Sequence, residues 1–300
     1  MFAAFLTTIF FSLSAIFANR SIRAVGATRA NLGRLVVALV LLGAYAHTAG
    51  HGLGGAGRDW FVLSGIVGMG LGDLATFAAL PLLGARLTVL VTQCLAVPIA
   101  MLVEWRWLGT TLTAAQLLWG FAILVGVAIA LMPSKQHPPR VTLKAAGWIF
   151  GTLAAAGQGL GAVLSRKANA LATLAGEPAD GITAAYQRIA GGLAITLLYF
   201  AARALFHYHP TTMSQSPRRP TARDWSWVPF NAVCGAVIGV SCYQWALATT
   251  PSGLVLPIVA CTPLVIVPLS WWLENERPTR RSLAGGAVAV AGCIALALAR

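Results

Sequence analysis

Long apolar stretches alternate with short polar segments along the whole chain. A helix rises about 1.5 Å per residue, so about 20 apolar residues cross a hydrocarbon layer of ~30 Å. Ten stretches approach or reach this length, and they cover residues 2–18, 30–48, 60–80, 87–105, 113–132, 144–165, 182–202, 227–248, 253–273 and 281–299. The pattern therefore predicts an all-α integral membrane protein with ten transmembrane helices and short loops.

The two halves of the chain carry the same residues at a constant spacing of 165 positions. This spacing separates Asp59 from Asp224, Trp60 from Trp225, Gly70 from Gly235, Pro98 from Pro263, and Gly120 from Gly285. We predict a first five-helix repeat at residues 1–132, a linker at 133–143 and a second repeat at 144–300. Because each repeat has an odd number of helices, the second starts on the opposite side of the membrane, and the repeats are inverted. Secondary transporters commonly have this plan, with the substrate site between the halves.

Composition excludes a water-soluble domain. Apolar residues make up 58% of the chain and charged residues 10%, and the mean hydropathy is +0.76. The net charge of +13 invites a nucleic-acid interpretation, but the 21 Lys and Arg residues are scattered over loops and helix ends, without interleaved aromatic side chains. We therefore expect a lipid bilayer and a small-molecule substrate as partners, and no nucleic acid. We expect a monomer, with a dimer as the alternative.

The basic residues are divided unevenly between the two faces of the membrane. Loops after odd-numbered helices hold fourteen of them, and the other face holds five, namely Arg58, Arg106, Arg166, Lys167 and Arg300. By the positive-inside rule, this count predicts that both termini are extracytoplasmic.

The motifs of common catalytic and metal sites are missing from the sequence. HExxH, GxSxG and a Walker A sequence do not occur, and the five cysteines form no CxxC pair. We therefore predict a protein that is not an enzyme and that holds neither a metal nor a cofactor.

Acidic residues are few, and Asp73 is predicted inside the third helix, where an unpaired carboxylate costs several kcal/mol. Arg34 stands early in the second helix, and counting the helical rise puts both side chains at similar depth. We expect an ion pair that serves as a structural clamp or as part of a substrate or proton site. The remaining alternative is that Arg34 only extends its side chain towards the membrane surface.

A similar argument on the opposite face pairs Glu104, at the end of the fourth helix, with Arg188, early in the seventh. Gln93 lies three helical turns before Glu104, so both point the same way. A lipid-facing Gln93 would leave its amide unsatisfied, so it lines a cavity or bonds to a neighbouring helix.

Further polar residues at membrane depth complete the predicted substrate contacts. Ser14, Gln158, Tyr243 and Gln244 join Arg34, Asp73 and Gln93 as candidates. Tyr243 could stack on a substrate while glutamine supplies hydrogen bonds, or it could bond to a backbone carbonyl. Pro98 and Pro263 remove backbone donors inside the fourth and ninth helices, and we expect hinges there.

These residues resemble the EamA family of the drug/metabolite transporter superfamily. The resemblance is carried by the stretch Pro263–Glu276 (PLVIVPLSWWLENE), by a glycine-rich last helix, by Arg34 and Arg188, and by the Gly72-Asp73 pair. Thr111 stands where the second repeat has Glu276, so the acidic residue of the family is missing from the first repeat. A helix-terminus role near the tenth helix is the interpretation for Glu276.

The resemblance implies a secondary active transporter, often an exporter, of small metabolites such as amino acids. It would work by alternating access around a central cavity shared by the two repeats. The resemblance implies cytoplasmic termini, against the charge count, and it places the protein in the plasma membrane, the inner membrane of a bacterium. The alternative is a membrane interaction or assembly subunit without transport activity, in which polar residues would pair off between helices.

Overall fold

The computed structural model describes residues 1–132, 144–205, 221, 225–267 and 279–299. These residues form ten helices: α1 (Phe2–Val25), α2 (Ala27–Thr48), α3 (Arg58–Leu83), α4 (Ala85–Leu108), α5 (Ala114–Leu131), α6 (Ala145–Leu174), α7 (Gly181–Leu205), α8 (Trp227–Thr249), α9 (Ser252–Val267) and α10 (Arg280–Leu298). All of them except the shorter α9 are long and apolar enough to cross a membrane. The predicted all-α membrane fold is confirmed. The linker at 133–143 and Glu276 lie outside the described residues.

Helix α6 is longer than the sequence predicts, because it continues to Leu174 instead of ending at 165. The additional turns are held by packing, since the fully buried Ala168 belongs to an apolar cluster with Phe61 of α3 and Ala184 of α7. The charged pair Arg166-Lys167 suggests a loop in the sequence, but it lies on a continuous helix. Arg166 therefore belongs to the helix bundle rather than to a loop.

Helices from the two halves of the chain interleave. Helix α1 packs on α8 and α9, and its counterpart α6 packs on α3 and α4. Helix α2 contacts its counterpart α7, and α5 contacts its counterpart α10. Each of these contacts reappears when the two halves are exchanged, as two repeats require.

Both α3 and α8 contain a stretch of π-helix. The stretches are Ile66–Leu71 in α3 and Ala232–Gly239 in α8. The spacing of 165 residues maps the first onto residues 231–236, so the irregularity occurs at equivalent places in the two halves. Stretches of this kind occur frequently at functional sites, and the hydrophobic pattern of the sequence does not reveal them.

Small residues allow a close contact between α5 and α10. A β-carbon on Gly285 would lie 2.5 Å from the carbonyl oxygen of Gly126 and 2.7 Å from the amide nitrogen of Ala130. The two backbones therefore touch directly, as small residues permit in membrane helices.

The two expected hinge prolines have different surroundings. Helix α4 runs without a break through Pro98. In α9 the helix is interrupted by a turn at Cys261, just before Pro263. Pro263 cannot donate to the carbonyl of Val259, and the Thr262 hydroxyl donates to that oxygen instead, at 2.6 Å. Motion at either proline remains a prediction.

Candidate functional site

A cavity of about 380 Å³ lies between the two halves, lined by residues from α1, α2, α3, α4, α6, α7 and α8. Six of the seven predicted substrate contacts line it, namely Ser14, Arg34, Asp73, Gln93, Gln158 and Tyr243, and Arg188 lines it as well. Its volume falls within the range of about 300–1,000 Å³ that is usual for small-molecule sites.

The cavity is more exposed towards one face of the membrane. We call the side of the α1–α2 and α3–α4 turns, at Gly26 and Gly84, the Gly26 face. The side of the α2–α3 and α8–α9 loops, which contain Gly52 and Thr250, is the Gly52 face. The cavity side chains Arg34 and Asp73 lie within about three turns of the Gly26 face, and they are 22% and 37% exposed. Those nearer the Gly52 face, Arg188 and Tyr243, are buried, whereas Arg34 and Asp73 are only partly buried as whole residues.

Near the Gly26 face, the structure brings Arg34 and Asp73 together. Arg34 Nη2 lies 3.6 Å from Asp73 Oδ2, and it also donates a hydrogen bond of 2.9 Å to Asn31 Oδ1. The pair therefore joins α2 to α3 at the rim of the cavity. Its role in binding or in proton coupling stays a prediction.

At the buried end of the cavity, Arg188 is held by neutral oxygens. Its Nη1 donates to Ser64 Oγ at 2.5 Å, to Ser165 Oγ at 3.0 Å and to the carbonyl of Gly161 at 3.1 Å. The guanidinium carbon lies 5.5 Å from the centre of the Tyr243 ring. The predicted pair between Arg188 and Glu104 is therefore wrong.

Glu104 pairs with Arg166 instead, with 3.1 Å between Glu104 Oε1 and Arg166 Nε. The other carboxylate oxygen of Glu104 accepts hydrogen bonds from the backbone amide and the hydroxyl of Ser252. Arg166 Nη1 in turn donates to the carbonyl of Leu247 at 2.8 Å. This Glu104 network joins α4, α6, α8 and α9 at the Gly52 face. The sequence does not reveal it, because the predicted sixth stretch ends at residue 165, just before Arg166.

A second set of contacts at the Gly52 face joins α7 to the α2–α3 loop. Gln187 Nε2 donates to the carbonyls of Gly52 and Gly54, both at 2.9 Å. His47 and Tyr186 are joined by a hydrogen bond of 3.0 Å. Together with the Glu104 network, these contacts link both halves of the chain on this face.

Tyr243 and Gln244 are neighbours in sequence but have different surroundings. Tyr243 lines the cavity, and its buried hydroxyl has no hydrogen-bond partner among the described residues. Gln244 is fully buried and does not line the cavity. Neither of its amide atoms has a hydrogen-bond partner among the described residues. Ser14, by contrast, lines the cavity and donates to Asn231 Oδ1 at 2.7 Å.

Comparison with known proteins identifies similar sequences and a similar structure. The model of a family described as "EamA-like transporter family" matches residues 1–132 and 145–298. A protein of Streptantibioticus cattleyicolor named "Probable terminal-alkyne amino-acid exporter" is 38% identical over 86 residues. That match spans 27% of this chain and 28% of the relative. A solved structure titled "Crystal structure of protein" matches with a TM-score of 0.78 and 17% sequence identity. The match covers 99% of this chain and 96% of the chain in that structure.

Proposed function

This chain belongs to the EamA-like transporter family, and on that premise we propose that it exports small metabolites such as amino acids by secondary active transport. The observation that carries the proposal is the cavity between the halves, which both repeats line with polar side chains at membrane depth. Such groups are costly in a membrane unless they pair or line a hydrated space.

The cavity walls suit a small solute with both apolar and polar groups. Phe11, Met69, Val89 and Val240 supply apolar surface beside the polar residues described above. Export of an amino acid is further supported by the name of the Streptantibioticus cattleyicolor relative. Because a single chain encloses the cavity, we propose that the monomer transports, in the plasma membrane of a bacterium.

The contacts at the two faces suggest how access alternates. The partial exposure of Arg34 and Asp73 supports access to the cavity from the Gly26 face. The Glu104 network and the contacts of Gln187 would keep the Gly52 face closed. Transport would require these contacts to separate while the rim around Arg34 and Asp73 closes. The Glu104 network and the contacts of Gln187 join helices of different halves, so a relative movement of the two halves would break them.

The test is solute counterflow in proteoliposomes that contain the purified full chain. The panel comprises the twenty protein amino acids, the terminal-alkyne amino acid L-propargylglycine and short carboxylates. We expect preloaded liposomes to accumulate the labelled form of at least one of these solutes. If correctly folded protein supports no counterflow of any panel member, the proposal is wrong.

Two matched variants test whether the cavity is the route. Ala18→Trp fills the cavity, which Ala18 lines on α1, and we expect it to abolish counterflow. Ala287→Trp places the same side chain on an exposed position of α10 and should leave counterflow unchanged. Equal activity of the two variants would mean that the solute does not pass through this cavity.

A further inference from the structure

We propose that Arg188 and the hydroxyl of Tyr243 bind the carboxylate group of the transported solute at the buried end of the cavity. This inference rests on the carrier function proposed above, and it assigns the recognition of one chemical group to two residues. The sequence placed Arg188 in an ion pair with Glu104, an assignment that the structure replaces.

The charged side chains that line the cavity carry one net positive charge. Among the described residues, the charged side chains that line it are Arg34, Asp73 and Arg188. Asp73 forms its ion pair with Arg34 and acts on Arg188 only from a longer distance, since no carboxylate of the described residues lies within 4.0 Å of Arg188. A buried charge at membrane depth is costly unless it is paired. A carboxylate brought by the solute would supply the missing counter-charge.

The guanidinium of Arg188 is held so that part of it remains available to a ligand. Its three hydrogen bonds to Ser64, Ser165 and Gly161 all use Nη1. The Nη2 atom lies beside Gly68, where an added β-carbon would come within 2.7 Å of it, and Gly68 itself lines the cavity. The fixed fork of a guanidinium suits a carboxylate, which can accept two parallel hydrogen bonds from it.

Tyr243 supplies a second donor at the same place. Its ring centre lies 5.5 Å from the Arg188 guanidinium carbon. The side chain is 5% exposed and lines the cavity, and its hydroxyl has no hydrogen-bond partner among the described residues. A buried polar atom without a partner calls for an explanation, and a bound carboxylate provides one.

Three probes with the same six-carbon chain separate the carboxylate from the rest of the solute. They are hexanoate, L-norleucine and L-norleucinamide, which differ only at the head group. We expect the two carboxylates to raise the Tm of the purified full chain and to bind, because ligands that bind the native state stabilise it. L-norleucinamide, which lacks the carboxylate, should bind at least about 10-fold more weakly than L-norleucine, since a hydrogen bond to a charged group is lost.

Tyr243→Phe tests the site with little disturbance, because the hydroxyl that it removes has no partner to lose. We expect the Tm without ligand to stay at or above that of the wild type, and L-norleucine to bind about 10-fold more weakly. Tyr45→Phe, at an exposed tyrosine of α2, is the control and should bind L-norleucine as the wild type does. Arg188→Lys keeps the charge without the fork and should also weaken L-norleucine binding.

The proposal is overturned if neither carboxylate binds, if L-norleucinamide binds as tightly as L-norleucine, or if Tyr243→Phe binds L-norleucine as the wild type does. These results are distinct from a failure of the carrier function. Counterflow of an amino acid that is equal in wild type and Tyr243→Phe would leave the carrier intact and remove only the carboxylate site. An absence of all counterflow in the wild type would remove both.

Discussion

Glu104 and Arg166 form an ion pair that joins α4 of the first half to α6 of the second, with 3.1 Å between Glu104 Oε1 and Arg166 Nε. The Glu104 side chain is 3% exposed and that of Arg166 is 21% exposed. Because the second oxygen of Glu104 accepts two hydrogen bonds from Ser252, the same carboxylate also anchors the start of α9. One side chain therefore holds three helices at the Gly52 face.

Glu104→Gln should destabilise the protein, because it leaves Arg166 without its counter-charge. Breaking a buried pair costs about 3–5 kcal/mol, and the partial exposure of Arg166 reduces our expectation to about 1–3 kcal/mol. The measurement is unfolding of the purified protein in detergent. Asp59→Asn is the control, because the Arg58–Asp59 pair has side chains that are 49% and 81% exposed, and it should leave stability unchanged. Equal effects of the two variants would contradict the role of Glu104.

Asp73→Asn should abolish uptake driven by a proton gradient while leaving solute exchange intact. The amide keeps the shape of the side chain but cannot carry a proton, and Arg34 retains its hydrogen bond to Asn31. Proteoliposomes assayed with a pH gradient, and in parallel for exchange without one, provide the measurement. If both activities fall equally, Asp73 acts in binding or structure rather than in proton coupling.

Cysteines introduced at the three glutamines should differ in reactivity with a water-soluble thiol reagent. In a background without the five native cysteines, Gln93→Cys and Gln158→Cys should react because both positions line the cavity. Gln244→Cys should not react, because Gln244 is fully buried and lies outside the cavity lining. Unreactive cysteines at 93 and 158 would show that the cavity is dry, which favours a subunit without transport activity.

Gln244→Met should raise the Tm. Both amide atoms of Gln244 are buried without a partner among the described residues, and a buried polar group without a hydrogen bond costs about 1–3 kcal/mol. Gln187→Met is the matched control at another fully buried glutamine. It should lower the Tm, since Gln187 Nε2 donates to two loop carbonyls. A lower Tm for Gln244→Met would contradict the absence of a partner.

Neighbouring glycines of α10 should respond differently to the same substitution. Gly285→Ala should destabilise the protein by about 1–3 kcal/mol, because the new β-carbon would meet the backbone of α5 at 2.5 Å. Gly286→Ala should be tolerated, since nothing lies within 4 Å of its β-carbon position. Thermal unfolding of both variants provides the measurement, and equal losses would mean that α5 and α10 are not in close contact.

Depth in the membrane could be predicted from the sequence, but direction around a helix could not. Counting the rise along α2 and α3 correctly placed Arg34 beside Asp73, because both lie on continuous helices near the same face. The same counting failed for Arg188, whose side chain points towards Ser64 and Ser165 rather than towards Glu104.

Adjacent residues on a helix show the same limit. Tyr243 and Gln244 stand about 100° apart around the axis of α8. Only one of the two side chains therefore faces the cavity, which lies on one side of this helix. The pattern of polar residues could not indicate which. The partnership of Glu104 with Arg166 was hidden for another reason, since a charged Arg166-Lys167 pair resembles a loop until its packing surroundings are known.

Because α1 and α6 each pack in the opposite half, neither half of the chain is a complete folding unit. Neither set of five helices encloses a complete interior by itself, because the first helix of each is embedded in the other. A separate chain of five helices could reach this packing only together with a second chain that supplies the embedded helix. Because α1 packs mostly on α8 and α9, the effect of a substitution on α1 depends largely on residues of the opposite half.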